Sequence, residues 1–131
     1  MCLLEAIREH SATAIHCTAR SHLAPDNPLR HGGRIDALAA IEYASQAIAA
    51  HCTLTAPPGS AVRRGYLVRL RSIELHVAAL DEIDAPLDVR AEQLAATRDG
   101  ASYTFEVSAA DAPIARGSVL IALGDEASGA G

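Results

Sequence analysis

The chain has no tryptophan, no lysine, one phenylalanine and one methionine in 131 residues. Aromatic side chains make up only 3% of it, while 50% of it is apolar. Its core must therefore be assembled from alanine, valine, isoleucine and leucine. All eleven basic residues are arginine and the formal net charge is −5. A mildly acidic chain with so few aromatics is a poor candidate for nucleic-acid binding, so no nucleic-acid partner is expected. Cysteine is scarce as well. Cys2, Cys17 and Cys52 are odd in number and contain no CxxC. That excludes a disulfide framework, argues against a metal site and fits a reducing cytoplasm. Long apolar runs are missing too. The Ala-rich stretch around Glu42 alone approaches the roughly 18 residues of a membrane span. Its side chains are small and Asp36, Glu42 and His51 interrupt it, so no membrane segment is expected. Glu5, Arg8 and Glu9 stand within the first ten residues, so no signal peptide is expected.

The length fits one domain. Residues 3–8 and 13–20 read as two short strands around a polar turn, with Thr13, Ile15 and Cys17 alternating against Ala14, His16 and Thr18. The segment SHLAPDNPLRHGGR that follows is rich in proline and glycine and reads as a long loop. Loops of that length in a small domain are commonly functional. Asp36 opens a helix expected to run to about Cys52, ended by TAPPGSA. The period then changes to two, giving strands over 65–77, 86–96, 102–108 and 114–123. Asp99-Gly100 and Asp111 to Pro113 mark turns between them. The domain is expected over 1–123, with 124–131 a disordered tail.

One helix covers a broad sheet only if the sheet curls around it. On a helical wheel Leu38, Ile41, Ile48 and Cys52 form an apolar arc, and alanines occupy the other side. This predicts a helix buried nearly all round. Glu42 falls inside the arc, with Gln46 one turn below, whereas Asp36, Tyr43 and His51 share the direction expected to face solvent. A buried carboxylate must be paired or kept neutral. Two readings stand side by side: an ion pair with Arg69 or Arg71 of the sheet, or a functional carboxylate.

A histidine in a proline- and glycine-containing loop, then AAIEYASQAIAAH on a helix, then strands beginning RRGYLVRLRSIELHV, resembles the hotdog-fold 3-hydroxyacyl-ACP dehydratases. The likeness runs from about His22 to Leu123. It is nearest to the predicted dehydratases of aryl polyene and xanthomonadin-type pigment clusters. The segment IEYASQ answers to the family's helix motif, and Gly65 matches the glycine before the long strand. The resemblance implies an α+β hotdog fold, with a curved antiparallel sheet of five to six strands around one long central helix. It also implies that a histidine and a helix carboxylate, contributed by opposite subunits of a dimer, form the site. Glu42 takes the place of the carboxylate. His22 takes that of the histidine, with His31 as the competing base. Gly32 and Gly33 would let the chain approach a ligand near N–H groups at the helix start, and Gln46 and Gly65 would line the substrate.

The reaction implied is dehydration of a 3-hydroxyacyl thioester to the trans-2-enoyl thioester. It needs a base at C2, an acid for the C3 hydroxyl and a donor to the thioester oxygen. This acid–base chemistry implies no metal or redox cofactor, and the substrate is expected on the phosphopantetheine of acyl carrier protein. That carrier is acidic, which makes Arg63 and Arg64 candidate docking residues. A homodimer is expected. The alternatives are a heterodimer with a related dehydratase, in which this chain is a non-catalytic acyl-binding subunit, and a hotdog thioesterase. Of the remaining histidines, His16 is expected on an outer strand face, His10 in a turn, His51 at the helix end, and His76 in a core or interface.

Overall fold

The computed structural model describes residues 2–56, 59 and 63–125, with only the main chain described at 63–66 and 124–125. Pro57 and Pro58, expected to stop the helix, lie outside the described residues, as does the expected tail over 124–131 apart from Gly124 and Asp125, whose main chain ends β6. The described residues form six strands: β1 (Ala6–His10), β2 (Ala14–Ala19), β3 (Arg63–Leu75), β4 (Leu87–Ala96), β5 (Gly100–Ala109) and β6 (Ala112–Asp125). One long helix, α1 (Ala40–Thr55), lies between β2 and β3 in sequence, preceded by 3-10 turns at Ser21–Leu23 and Ala37–Ala39. Every strand pair is antiparallel, in the order β1-β2-β4-β5-β6-β3. The helix packs across β2, β4, β5 and β6. This is the helix-on-sheet architecture that the resemblance implied.

The alternation read from the sequence determines which residues face the helix. Cys17, Val89, Val107 and Ala115 are cross-strand partners in one buried row. Ile15, Ala91, Phe105 and Gly117 form the next. A Cβ at Gly117 would meet the end of the Ile73 side chain and the Phe105 ring, so a larger residue there would require those side chains to shift. The turn from β5 to β6 places Ala110 and Asp111 at φ 49° and 65°. This left-handed pair suits the twist of a tight hairpin.

The helix differs from its wheel. Its buried side is Ala40, Tyr43, Ala44, Ala47, Ile48 and His51. Glu42 is exposed, and Leu38 is 54% exposed. The expectation of a helix buried nearly all round, with Glu42 inside and Tyr43 and His51 outside, is therefore corrected. There are two physical reasons. Residues 37–39 form a 3-10 turn, so Leu38 is out of phase with the α-helix that follows. Tyr43 and His51 can be buried because their polar tips are satisfied. The His51 ring donates through Nε2 to the Ser11 carbonyl (3.0 Å) and accepts at Nδ1 from the Tyr103 hydroxyl (2.6 Å).

Candidate active site

The loop between β2 and α1 begins with the 3-10 turn that carries His22. This imidazole has no solvent exposure. Its Nε2–H donates to the Ile83 carbonyl at 2.9 Å, which leaves Nδ1 as a lone pair, and that atom is buried without a partner. Burial pushes the pKa of His22 below the ordinary 6.5. The Ile83 and Ala85 carbonyls oppose the shift, and the Arg30 charge adds to it. The ring is thus a neutral base near pH 7.

The loop is fastened to the helix through Tyr43. The Ser21 hydroxyl donates to the Leu3 carbonyl (2.7 Å), so Tyr43 O–H is the donor in its 2.7 Å bond to Ser21 Oγ. Asn27 Nδ2 donates to Tyr43 (3.3 Å) and to the Ser21 carbonyl (2.8 Å). Tyr43 follows Glu42 and Ser21 precedes His22, so one side-chain chain links the backbones carrying the two foremost candidates. Neither Tyr43 nor Asn27 was singled out as a site residue, because periodicity weighs only how apolar a side chain is. Glu42 itself stands on the helix face turned from the sheet. No ion pair involves it among the described residues, so the expected alternative of a bond to Arg69 or Arg71 does not form.

The other candidates are placed differently. His31, Gly32, Gly33 and Arg34 form an exposed hairpin, closed by His31 N–H to the Arg34 carbonyl (2.7 Å) and Arg34 N–H to the His31 carbonyl (3.0 Å). Gly32 and Gly33 have φ 59° and 80° and nothing lies within 4 Å of a Cβ built on either. Here the glycines turn the chain. The N–H groups expected to polarise a thioester are already engaged. Ala37 donates to the Ala78 carbonyl (3.1 Å), Leu38 to Asp36 Oδ1 (2.8 Å) and Ala39 to the Asp36 carbonyl (3.0 Å). Arg34 also pairs with Asp81 (2.8 Å) and Glu82 (2.6 Å), tying this hairpin to the segment after β3.

Gln46 Oε1 accepts from Leu3 N–H at 2.7 Å. It also lines an open, mainly apolar groove of about 570 Å³ with Leu4, Ile7 and Ala49. A larger cavity, about 640 Å³, lies over the outward-facing Glu9, His16, Arg90, Glu106 and Arg116, and holds none of the candidates. Gly65 lies in β3 opposite Leu123, and Arg63 and Arg64 are the first two residues of β3, with side chains outside the described set. His16, half-buried, bonds Asp88 at 2.8 Å, and His10 and His76 are exposed. Among the described residues no group of three or more His, Cys, Asp or Glu side chains is placed to hold a metal ion. No helix among them is long and apolar enough to cross a membrane.

No curated protein matches the sequence. Among solved structures, the dehydratase heterocomplex ApeI:P from Xenorhabdus doucetiae superposes with a TM-score of 0.81 at 21% identity, over 96% of this chain and 85% of that one. A mutant thioesterase from Pseudomonas aeruginosa gives 0.62 at 12% identity, over 91% and 80%. A hypothetical thioesterase with coenzyme A from Streptococcus pneumoniae gives 0.65 at 12%, over 92% and 85%. At these identities the superpositions establish the hotdog fold alone. The family model for the ApeP dehydratase matches residues 1–129. The chain therefore belongs to the ApeP-like dehydratase family.

Proposed function

We propose that this dehydratase acts on 3-hydroxyacyl thioesters of the aryl polyene type carried by acyl carrier protein, and releases the trans-2-enoyl thioester. The observation that carries the reading is His22: a buried imidazole with Nε2–H committed to the Ile83 carbonyl and a free lone pair on Nδ1. Such a nitrogen is set to accept a proton. In the proposed reaction Nδ1 takes the proton from C2, and the C2–H electron pair becomes the C2=C3 double bond. The C3–O bond breaks as the hydroxyl takes a proton from the Glu42 carboxyl and leaves as water. Proton return from His22 to Glu42 through solvent closes the cycle. The apolar groove beside Gln46 gives room for an acyl chain. The only prosthetic group invoked is the phosphopantetheine that carries the substrate. Arg63 and Arg64 are assigned to the carrier protein, whose acidic surface they complement.

The reading includes a second hotdog chain. Glu42 is exposed on the open helix face, and β3 is an edge strand with Leu67, Val68 and Leu70 exposed. A partner chain laid along both would enclose Glu42 and present a histidine of its own to it. A related dehydratase is favoured as that partner over a second copy, because the neighbour from Xenorhabdus is a heterocomplex. The test is product analysis by mass spectrometry. The chain, alone and mixed with a related hotdog dehydratase, is given 3-hydroxyacyl carrier proteins of several lengths. Loss of water with the thioester intact is expected. Release of the free acid would make the protein a thioesterase, and no turnover in any combination would remove the catalytic reading.

A further inference from the structure

Arg30 is half-buried, yet no carboxylate pairs with it among the described residues. Its guanidinium is spent on main-chain carbonyls: Nε donates to Ala24 (2.8 Å), Nη2 to His22 itself (3.0 Å) and Nη1 to Gly33 (2.6 Å). Its own N–H donates to the Asn27 carbonyl at 3.1 Å. The planar fork thus bridges the start of the catalytic loop, its middle and the glycine hairpin. Lysine, a single point charge, cannot reproduce that geometry. Asp26, four residues earlier, is exposed and does not neutralise it.

We propose that Arg30 is a positioning residue for His22: it fixes the main chain that carries the imidazole and presents an unpaired positive charge to it. The inference rests on His22 being the base. The other groups around the imidazole support the assignment. The segment between β3 and β4 contributes the carbonyls of Ile83 and Ala85, while Asp84 between them is exposed, and Tyr43 of the helix bonds the hydroxyl of the neighbouring Ser21. Arg30 is the one charged side chain among the influences on His22, and it disfavours the imidazolium. Fixing the loop and keeping the base unprotonated are thus combined in one side chain.

The experiment compares Arg30→Met, which removes fork and charge, with Arg30→Lys, which keeps the charge alone. Both are made in the active assembly, beside His22→Ala. Dehydration is followed against pH, and the His22 ring is titrated by NMR with labelled histidine, which needs no activity. Arg30→Met is expected to lower kcat about tenfold or more. It should also move both the acid limb of kcat/KM and the His22 titration to higher pH. Arg30→Lys should restore the pH position while leaving kcat low. A folded Arg30→Met protein whose pH profile and titration match the wild type would overturn the proposal and leave Arg30 a loop strut. If Arg30→Met does not fold, the lysine variant decides: wild-type kcat with the fork gone would equally overturn it. Full activity of His22→Ala would instead remove the base assignment, and the NMR titration would still report whether Arg30 acts on the ring.

Discussion

Tyr103 joins three side chains at a single buried oxygen. Its hydroxyl donates to His51 Nδ1 and accepts from Gln93 Nε2 (3.1 Å) and, more weakly, from Cys52 Sγ (3.4 Å). Tyr103→Phe keeps the ring and strands the His51 nitrogen, so it is expected to cost about 1–3 kcal/mol. A fall in the urea midpoint at unchanged slope checks this. His22 makes a prediction of opposite chemical character, because it is buried neutral. Its folded pKa lies below the ordinary 6.5. Between those two values the unfolded chain holds a proton that the folded chain refuses, so stability rises with pH and falls on acidification from about 6.5. Comparing urea midpoints at about pH 7 and about pH 5.5 should show a smaller acid loss in His22→Gln than in the wild type. At this scale the sequence was only partly readable. His22 and Glu42 stood out through their neighbours in the loop and in IEYASQ. Arg30, Asn27 and Tyr43 did not, because a side chain's value as a hydrogen-bond donor depends on carbonyls that the fold brings to it.

Strands β2, β4 and β5 were legible because each has one face on the core, and alternation records that directly, as in Leu87, Val89 and Ala91 of β4. The helix was harder. Its buried face is largely alanine, so the exposed Leu38 and the half-buried Ile41 outweighed it on the wheel. The turns show the same contrast. Asp99-Gly100 was readable as a turn, and Gly100 is required there because a Cβ would stand 2.5 Å from the Ile121 carbonyl. The next turn is made by Ala110 and Asp111 rather than by the proline, which already lies in β6. A left-handed alanine is strained, by roughly 1–2 kcal/mol. Ala110→Gly is therefore expected to stabilise the fold by about 0.5–1 kcal/mol after the entropy that glycine adds to the unfolded chain. Thermal unfolding would register this as a higher Tm.

For the molecule as a whole, the open side matters most. The β3 edge carries Val68 at 59% and Leu67 at 50% exposure, an apolar edge that isolated proteins normally protect. Placing a charge there, as in Val68→Glu, is expected to reduce the assembly to single chains and abolish turnover while leaving the far-UV spectrum unchanged. Light scattering would show the fall in mass. Glu42 was expected to be buried by its own chain. On the present account the partner buries it, and a wheel drawn for one chain has no means of representing a second. The measurement that tests the account most directly is turnover of a 3-hydroxyacyl carrier protein by the assembled enzyme carrying Glu42→Gln, beside His22→Ala. The account predicts that each variant folds, assembles and loses at least about a hundredfold in kcat. Wild-type turnover by either folded variant would contradict it.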